Sequence, residues 1–105
     1  PGGNYITLSD DAKSIEIKDQ HSNTITMDSN GISVQSAKDI VLNAKGNISL
    51  TAGQNVEVDA KMDVKISGLN INNTASVGFV AEGATTAELS ASGQTTVKGA
   101  IVMIN

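Results

Sequence analysis

Triplets of residues whose first and third members are apolar recur along the whole chain. The four clearest triplets begin eight residues apart, at Ile40, Ile48, Val56 and Val64. Each follows an Asn or Asp and precedes a small polar residue and then an Ala or Gly. Because alternate residues of a β-strand lie on opposite faces, each triplet predicts a short strand with one apolar face. The flanking residues predict tight corners between successive strands.

A repeat of eight residues holds only one strand and one corner, and we call each such unit an octad row. Repeats of so short a period are typical of stacked β-structures, in which each unit contacts only its neighbours. The chain lacks the apolar spacing of a helix, and β-branched residues fill many of its apolar positions. The sequence therefore predicts an all-β fold built from octad rows.

Upstream of the four clear rows, the apolar triplets are spaced more widely and unevenly. They begin at Ile6, Ile15, Ile25 and Ile32. This spacing predicts an entry segment over residues 1–34 with hairpins or looser turns, and polar loops near 9–11 and 19–23. The octad-repeat segment is predicted to occupy residues 35–105.

Downstream, triplets begin at Leu69, Val77 and Ala87, and the spacing slips by about one residue near 70–73. A slip of one residue would turn every later side chain to the other face, unless a bulge absorbs it. The sequence therefore predicts a change of cross-section or an intruding loop in this region.

The apolar positions of the octad rows predict that one copy of the chain does not enclose a core by itself. Each row offers two inward aliphatic side chains, and the predicted core residues are Ile40, Leu42, Ile48, Leu50, Val56, Val58, Val64 and Ile66. Three copies around one axis would give every row the same environment and leave no lateral sheet edge. The sequence therefore predicts an obligate homotrimer. A monomeric solenoid with three rows in each coil is the alternative.

Composition narrows the classes of function. Hydrophobic residues make up 39% of the 105 residues, but Tyr5 and Phe79 are the only aromatic ones. The chain contains no cysteine, and its net charge of −4 comes without any arginine, which argues against a nucleic-acid partner. No apolar run has the length of a transmembrane helix. Since the chain begins with Pro1 rather than Met, we expect it to be part of a longer protein.

No residue pattern predicts catalysis, a cofactor or a metal. His21 is the only histidine and lies in a predicted polar loop, where a solvated side chain is the ordinary interpretation. The acidic residues that could suggest calcium do not follow the glycine-rich pattern of calcium-binding repeats, and they are Asp10, Asp11, Asp59 and Asp63. No serine lies in the Gly-x-Ser-x-Gly pattern of a nucleophile elbow. We therefore predict that the chain is not an enzyme.

The last residues form an apolar run, consisting of Ile101, Val102, Met103, Ile104 and then Asn105. Strict alternation would leave two of these apolar side chains facing solvent. One interpretation is a last strand that is buried on one face and frayed on the other. The functional interpretation is an apolar platform at the end of the molecule that binds a partner.

Three segments together resemble the C-terminal spike of VgrG proteins, the tip proteins of bacterial type VI secretion. These segments are the octads such as Asn-Ile-Ser-Leu-Thr-Ala-Gly-Gln at 47–54, the stretch 15–23 and the ending 91–105. The same architecture is found in the spikes of contractile phage tails. The resemblance implies an intertwined triple-stranded β-helix, shaped as a three-sided prism, that acts as a membrane-puncturing needle.

The resemblance also implies partners and a location. An upstream base domain would join the needle to a tube of stacked Hcp-like rings. A PAAR-repeat protein would dock on residues 101–105 and carry effectors. The needle would be assembled in the bacterial cytoplasm, then secreted and injected through a target membrane. The alternative from a different class is a trimeric phage tail fibre or adhesin-like binding module.

Overall fold

The computed structural model describes residues 2–105, and its strands lie at the N-terminal end. The four strands are β1 (Tyr5–Ser9), β2 (Ser14–Lys18), β3 (Thr24–Asp28) and β4 (Gly31–Gln35). They form one antiparallel sheet in the order β1-β2-β3-β4, so each strand pairs with the next one along the chain. The described residues contain no helix, and the predicted all-β character is confirmed.

The register of the sheet places the apolar triplets side by side. One apolar row crosses all four strands, through Ile6, Ile17, Ile25 and Val34. A second apolar row runs beside it, through Leu8, Ile15, Met27 and Ile32. The middle residues of the triplets form a polar row on the opposite face, through Thr7, Glu16, Thr26 and Ser33. The sheet therefore has one aliphatic face and one polar face, as alternation requires.

The hairpin between β3 and β4 depends on turn chemistry at its tip. Asp28 pairs with Gly31, and the side chain of Asp28 accepts a hydrogen bond from the N–H of Asn30 at 2.8 Å. Gly31 has a φ of 118°, a conformation that residues with a Cβ rarely adopt. The loop predicted at 19–23 joins β2 to β3, whereas the connection between β1 and β2 covers residues 10–13, because the predicted loop residue Ser9 belongs to β1.

After β4 the backbone bends at regular intervals instead of forming strands. The first four bends begin at residues 37, 45, 53 and 61, which are eight residues apart. Later bends occur at residue 69 and then begin at 76, 84, 92 and 100. The interval from 69 to 76 is one residue shorter than the others, and it coincides with the predicted slip near 70–73.

The bend that begins at residue 84 depends on a close approach of the backbone to itself. A Cβ atom built on Gly83 would overlap with the carbonyl oxygen of Thr86. Glycine is therefore required here for space, whereas a Cβ on Gly53 would meet no atom of the chain within 4 Å.

The described chain divides into two units, Pro1–Glu57 and Val58–Asn105. The sheet and the first two octad rows belong to the first unit, the boundary falls within the third row, and the later rows belong to the second unit. None of the residues 2–105 belongs to a helix that is long and apolar enough to cross a membrane.

Apart from the sheet, the described residues contain one hydrogen bond between backbone groups, from the N–H of Asp19 to the C=O of Asn23 at 3.2 Å. The backbone of residues 36–57, and likewise that of 58–105, therefore has no backbone partner within its own unit. The described residues also include no buried hydrophobic side chain. The octad rows thus hold a regular conformation in which one chain supplies neither a ladder nor a core.

Candidate functional site

The first apolar residue of each regular octad row has the same solvent exposure. These side chains are between 54% and 56% exposed, and they are Ile40, Ile48, Val56 and Val64. The third residues of the same rows are between 71% and 74% exposed, and they are Leu42, Leu50, Val58 and Ile66. We call these eight residues the apolar edge. Their uniform exposure means that the four rows repeat one local conformation.

The apolar edge leaves aliphatic side chains uncovered in the single chain. Burying one Val, Leu or Ile side chain contributes roughly 1.5–3 kcal/mol. Covering the apolar edge would therefore contribute a large favourable free energy that the single chain does not obtain. The backbone beside it carries unpaired N–H and C=O groups, which are costly to bury without hydrogen-bond partners. Another β-strand is a partner that satisfies both requirements together.

The structure corrects the predicted triplets that begin at Leu69 and Val77. Both residues lie at bends and are fully exposed, so they do not share the half-exposed environment of the first apolar residue of a regular row. Ile71, which is 51% exposed, instead resembles the first apolar residue of a regular row. The irregular row spacing explains why Leu69 and Val77 were predicted wrongly. Each is an apolar residue at a bend, and the sequence pattern does not distinguish it from the first residue of a triplet.

The predicted tip residues are exposed in the single chain. Ile101 lies at the last bend, and the side chains of Met103 and Ile104 are almost fully open to solvent. Val102 is about half exposed. The C-terminal residues therefore present aliphatic side chains outward, in a segment that contains no charged residue after Lys98.

A concave region lies between the aliphatic face of the sheet and the first octad row. It has a volume of about 700 Å³, and its apolar lining includes Ile6, Ile17, Ile25, Val34 and Ile40. These residues join the first apolar row of the sheet to the apolar edge. The concavity thus makes the aliphatic surface continuous from the entry segment to the first octad row.

The loop between β2 and β3 is held by the side chains of Asp19 and Asn23. The carboxylate of Asp19 accepts hydrogen bonds from the N–H of His21 at 2.9 Å and from the N–H of Asn23 at 3.0 Å. It also accepts one from the side-chain Nδ2 of Asn23 at 2.8 Å. The Oδ1 of Asn23 in turn accepts a hydrogen bond from the N–H of Ala37 at 2.9 Å. This chain of contacts, the Asp19 cluster, connects the sheet to the first bend of the octad rows.

The Asp19 cluster was not predicted from the sequence beyond its place in a polar loop. Asp and Asn side chains commonly accept hydrogen bonds from nearby backbone N–H groups in loops. The presence of both residue types in this loop is the sequence feature that could have indicated the cluster. The contact with Ala37 spans fourteen residues and has no counterpart in any short motif.

Lowering the pH is expected to weaken the Asp19 cluster. Hydrogen bonds from the backbone and side chain of Asn23 hold the pKa of Asp19 below its usual value. A carboxyl whose folded pKa is lowered contributes stability that is complete above the unfolded pKa and is lost as pH falls through the folded pKa. We expect the midpoint temperature of thermal unfolding to decrease when the pH is lowered below about 4. Asp19→Asn is expected to make this decrease smaller. The measurement is the thermal midpoint against pH.

The matched control for this experiment is Asp10→Asn, which removes the same charge from the loop between β1 and β2. If both variants changed the acid dependence equally, a role specific to the Asp19 cluster would be ruled out.

The candidate metal ligands do not assemble within one chain. Among residues 2–105, the structure contains no group of three or more His, Asp or Glu residues that could hold a metal ion. The Nε2 atom of His21 lies 3.4 Å from the Nε2 atom of Gln20. The hydroxyl of Tyr5 donates a hydrogen bond to Glu16 at 2.6 Å, and this contact raises the pKa of Tyr5.

Comparison with protein-family models and with curated protein sequences finds no match for the chain. Its function is therefore inferred from the apolar edge, the unpaired backbone and the sequence pattern of the octad rows.

Proposed function

We propose that three copies of the chain wind around one axis as an intertwined triple-stranded β-helix. The observation that carries this proposal is the uniform exposure of the apolar edge over four consecutive rows. Rows that repeat one conformation need partners that repeat in the same way, and copies of the same chain satisfy this requirement. Threefold closure would bury the apolar edges against each other and pair the backbone of residues 36–105 between copies.

The aliphatic face of the entry sheet fits the same assembly. Its first apolar row is exposed in the single chain and leads through the concavity to Ile40. In its second row Leu8 and Ile32 are exposed, while Ile15 and Met27 are half-buried. Three copies would cover these faces together with the apolar edges, so the core would run through both segments. The small aliphatic side chains of the apolar edge suit a narrow interior of this kind.

We propose that this trimer is the needle of a VgrG-like spike in a contractile injection machine. Residues 101–105 of the three copies would form an apolar platform that binds a PAAR-type cap, and effectors would travel with that cap. An upstream base domain would connect the needle to the tube. A closed prism has no free sheet edge to separate, which suits a part that is pushed through a membrane. The role is mechanical and needs no catalytic group.

Sedimentation equilibrium of the chain at micromolar concentration tests the assembly. We expect a folded particle with three times the mass of the chain, and no folded monomer on dilution, since the fold depends on association. A folded monomer would contradict the proposal and favour a monomeric solenoid. If a folded trimer instead gave clear hits on a glycan array, the fibre or adhesin-like function would replace the needle.

A further inference from the structure

The charges of the four regular octad rows follow a strict arrangement. We number each row from its first bend residue, so that the first and third apolar residues occupy positions 4 and 6. Lysines at position 1, Lys45 and Lys61, are separated by a row that carries Gly in that position. Acidic residues at position 3, Asp39 and Asp63, are separated by two rows that carry Asn. No position carries like charges in two consecutive rows.

Only one position carries charges in two consecutive rows, and those charges are opposite. Glu57 and Lys65 both occupy position 5, the middle residue of the triplet, on the face opposite the apolar edge. Both residues are exposed in the single chain. Consecutive rows of one chain form no backbone ladder within either unit. In the proposed trimer, neighbouring strands of a ladder would therefore come from different copies.

Two arrangements of neighbouring copies differ in what these charges meet. If equal rows were adjacent, each Glu57 would face Glu57 of the next copy and each Lys65 would face Lys65. If each row lay beside the following row of the next copy, Glu57 would face Lys65. In that arrangement Lys61 of one copy would lie beside Gly53 of the next copy, whereas adjacent equal rows would place it beside Lys61 of the next copy. Like charges directly opposite each other destabilise a sheet, and opposite charges stabilise it.

We propose that neighbouring copies are staggered by one octad row, and that Glu57 of one copy forms an ion pair with Lys65 of the next. The inference rests on the proposed trimer and specifies its register. The apolar residues at positions 4 and 6 recur in every row and fit several registers. The charges at positions 1, 3 and 5 distinguish among these registers, and only the stagger of one row brings opposite charges together. The partner recognised by this surface is a second copy of the same chain.

Cysteine cross-linking tests the register directly, because the chain contains no native cysteine. Neighbouring strands bring paired Cα atoms within the range that a disulfide bridges, about 4.4–6.8 Å. Under mild oxidation, the double variant Glu57→Cys with Lys65→Cys is expected to give a covalent trimer on a non-reducing gel. The single variants Glu57→Cys and Lys65→Cys are expected to stay unlinked.

The matched control is Ser49→Cys with Lys65→Cys, which places the cysteines two rows apart and is expected to give no covalent trimer. Linking in either single variant would show that equal rows are adjacent, and would overturn the stagger. A trimer in solution whose 57 and 65 cysteines do not link would overturn it as well. An unmodified chain that forms no trimer would instead contradict the proposed function.

Charge substitutions test the ion pair separately from the register. Glu57→Lys or Lys65→Glu would bring three pairs of like charges together, and each is expected to lower the thermal midpoint by about 5 °C. The double variant restores opposite charges and is expected to recover most of this loss. A double-mutant cycle removes the effects of Asp59 and Asp63 within the same strands. Independent, additive effects of the two substitutions would overturn the ion pair.

Discussion

Val56→Asp is expected to abolish the folded trimer, whereas Val41→Asp leaves it intact. Both changes introduce the same side chain at a valine of an octad row. Val56 is the first residue of its triplet and belongs to the apolar edge. Val41 is the middle residue of its triplet, and its side chain is 81% exposed. The two variants therefore differ in the face of the row that receives the charge.

The expected difference follows from the cost of burying an unpaired charge. In the proposed trimer, an aspartate at position 56 would enter the interior in all three copies. An unpaired buried charge costs on the order of 3–5 kcal/mol, and three such costs would exceed the net stability of many domains. An aspartate at position 41 would remain in water and cost little, apart from its lower β-propensity.

Circular dichroism and sedimentation equilibrium at micromolar concentration measure this result. The Val56→Asp chain is expected to sediment as an unfolded monomer, and the Val41→Asp chain as a folded trimer. A folded Val56→Asp trimer would mean that the apolar edge is not the interior of the assembly. Loss of the trimer with Val41→Asp alone would mean that the rows face the other way.

The strands of the entry sheet could be predicted from sequence because their signal is local. Alternation places Ile15 and Ile17 on one face and Glu16 on the other, and strand pairing then brings like faces together. The period of the bends was equally predictable, since each octad row carries its own corner residues. Local patterns of this kind do not depend on distant partners.

Features that join distant parts of the chain were not predictable in the same way. The hydrogen bond between Asn23 and Ala37 depends on where β4 ends, and no residue spacing encodes it. Leu69 was assigned to the wrong position because hydrophobicity alone does not distinguish a bend residue from a strand residue. The backbone geometry distinguishes them, through the shortened interval between the bends at 69 and 76.

The tip of the chain carries four consecutive apolar residues, and three of them, Ile101, Met103 and Ile104, are more than four-fifths exposed. Chains truncated after Ala100 are expected to form a folded trimer that no longer binds a purified PAAR-repeat protein. The truncation removes a single terminal row, and the proposed core of the preceding rows remains complete. Calorimetric titration of the cap measures the loss.

A pair of lysine substitutions separates the platform from general surface charge. Met103→Lys and Met62→Lys change equally exposed methionines, one at the tip and one at a bend within the octad rows. Met103→Lys would place three ammonium groups on the apolar platform, and removal of central apolar contacts commonly costs 2 kcal/mol or more. We expect cap affinity to fall by at least about 30-fold with Met103→Lys and to be unchanged with Met62→Lys. A truncated trimer that kept full affinity would place the cap elsewhere, because residues 101–105 could then contribute no binding surface.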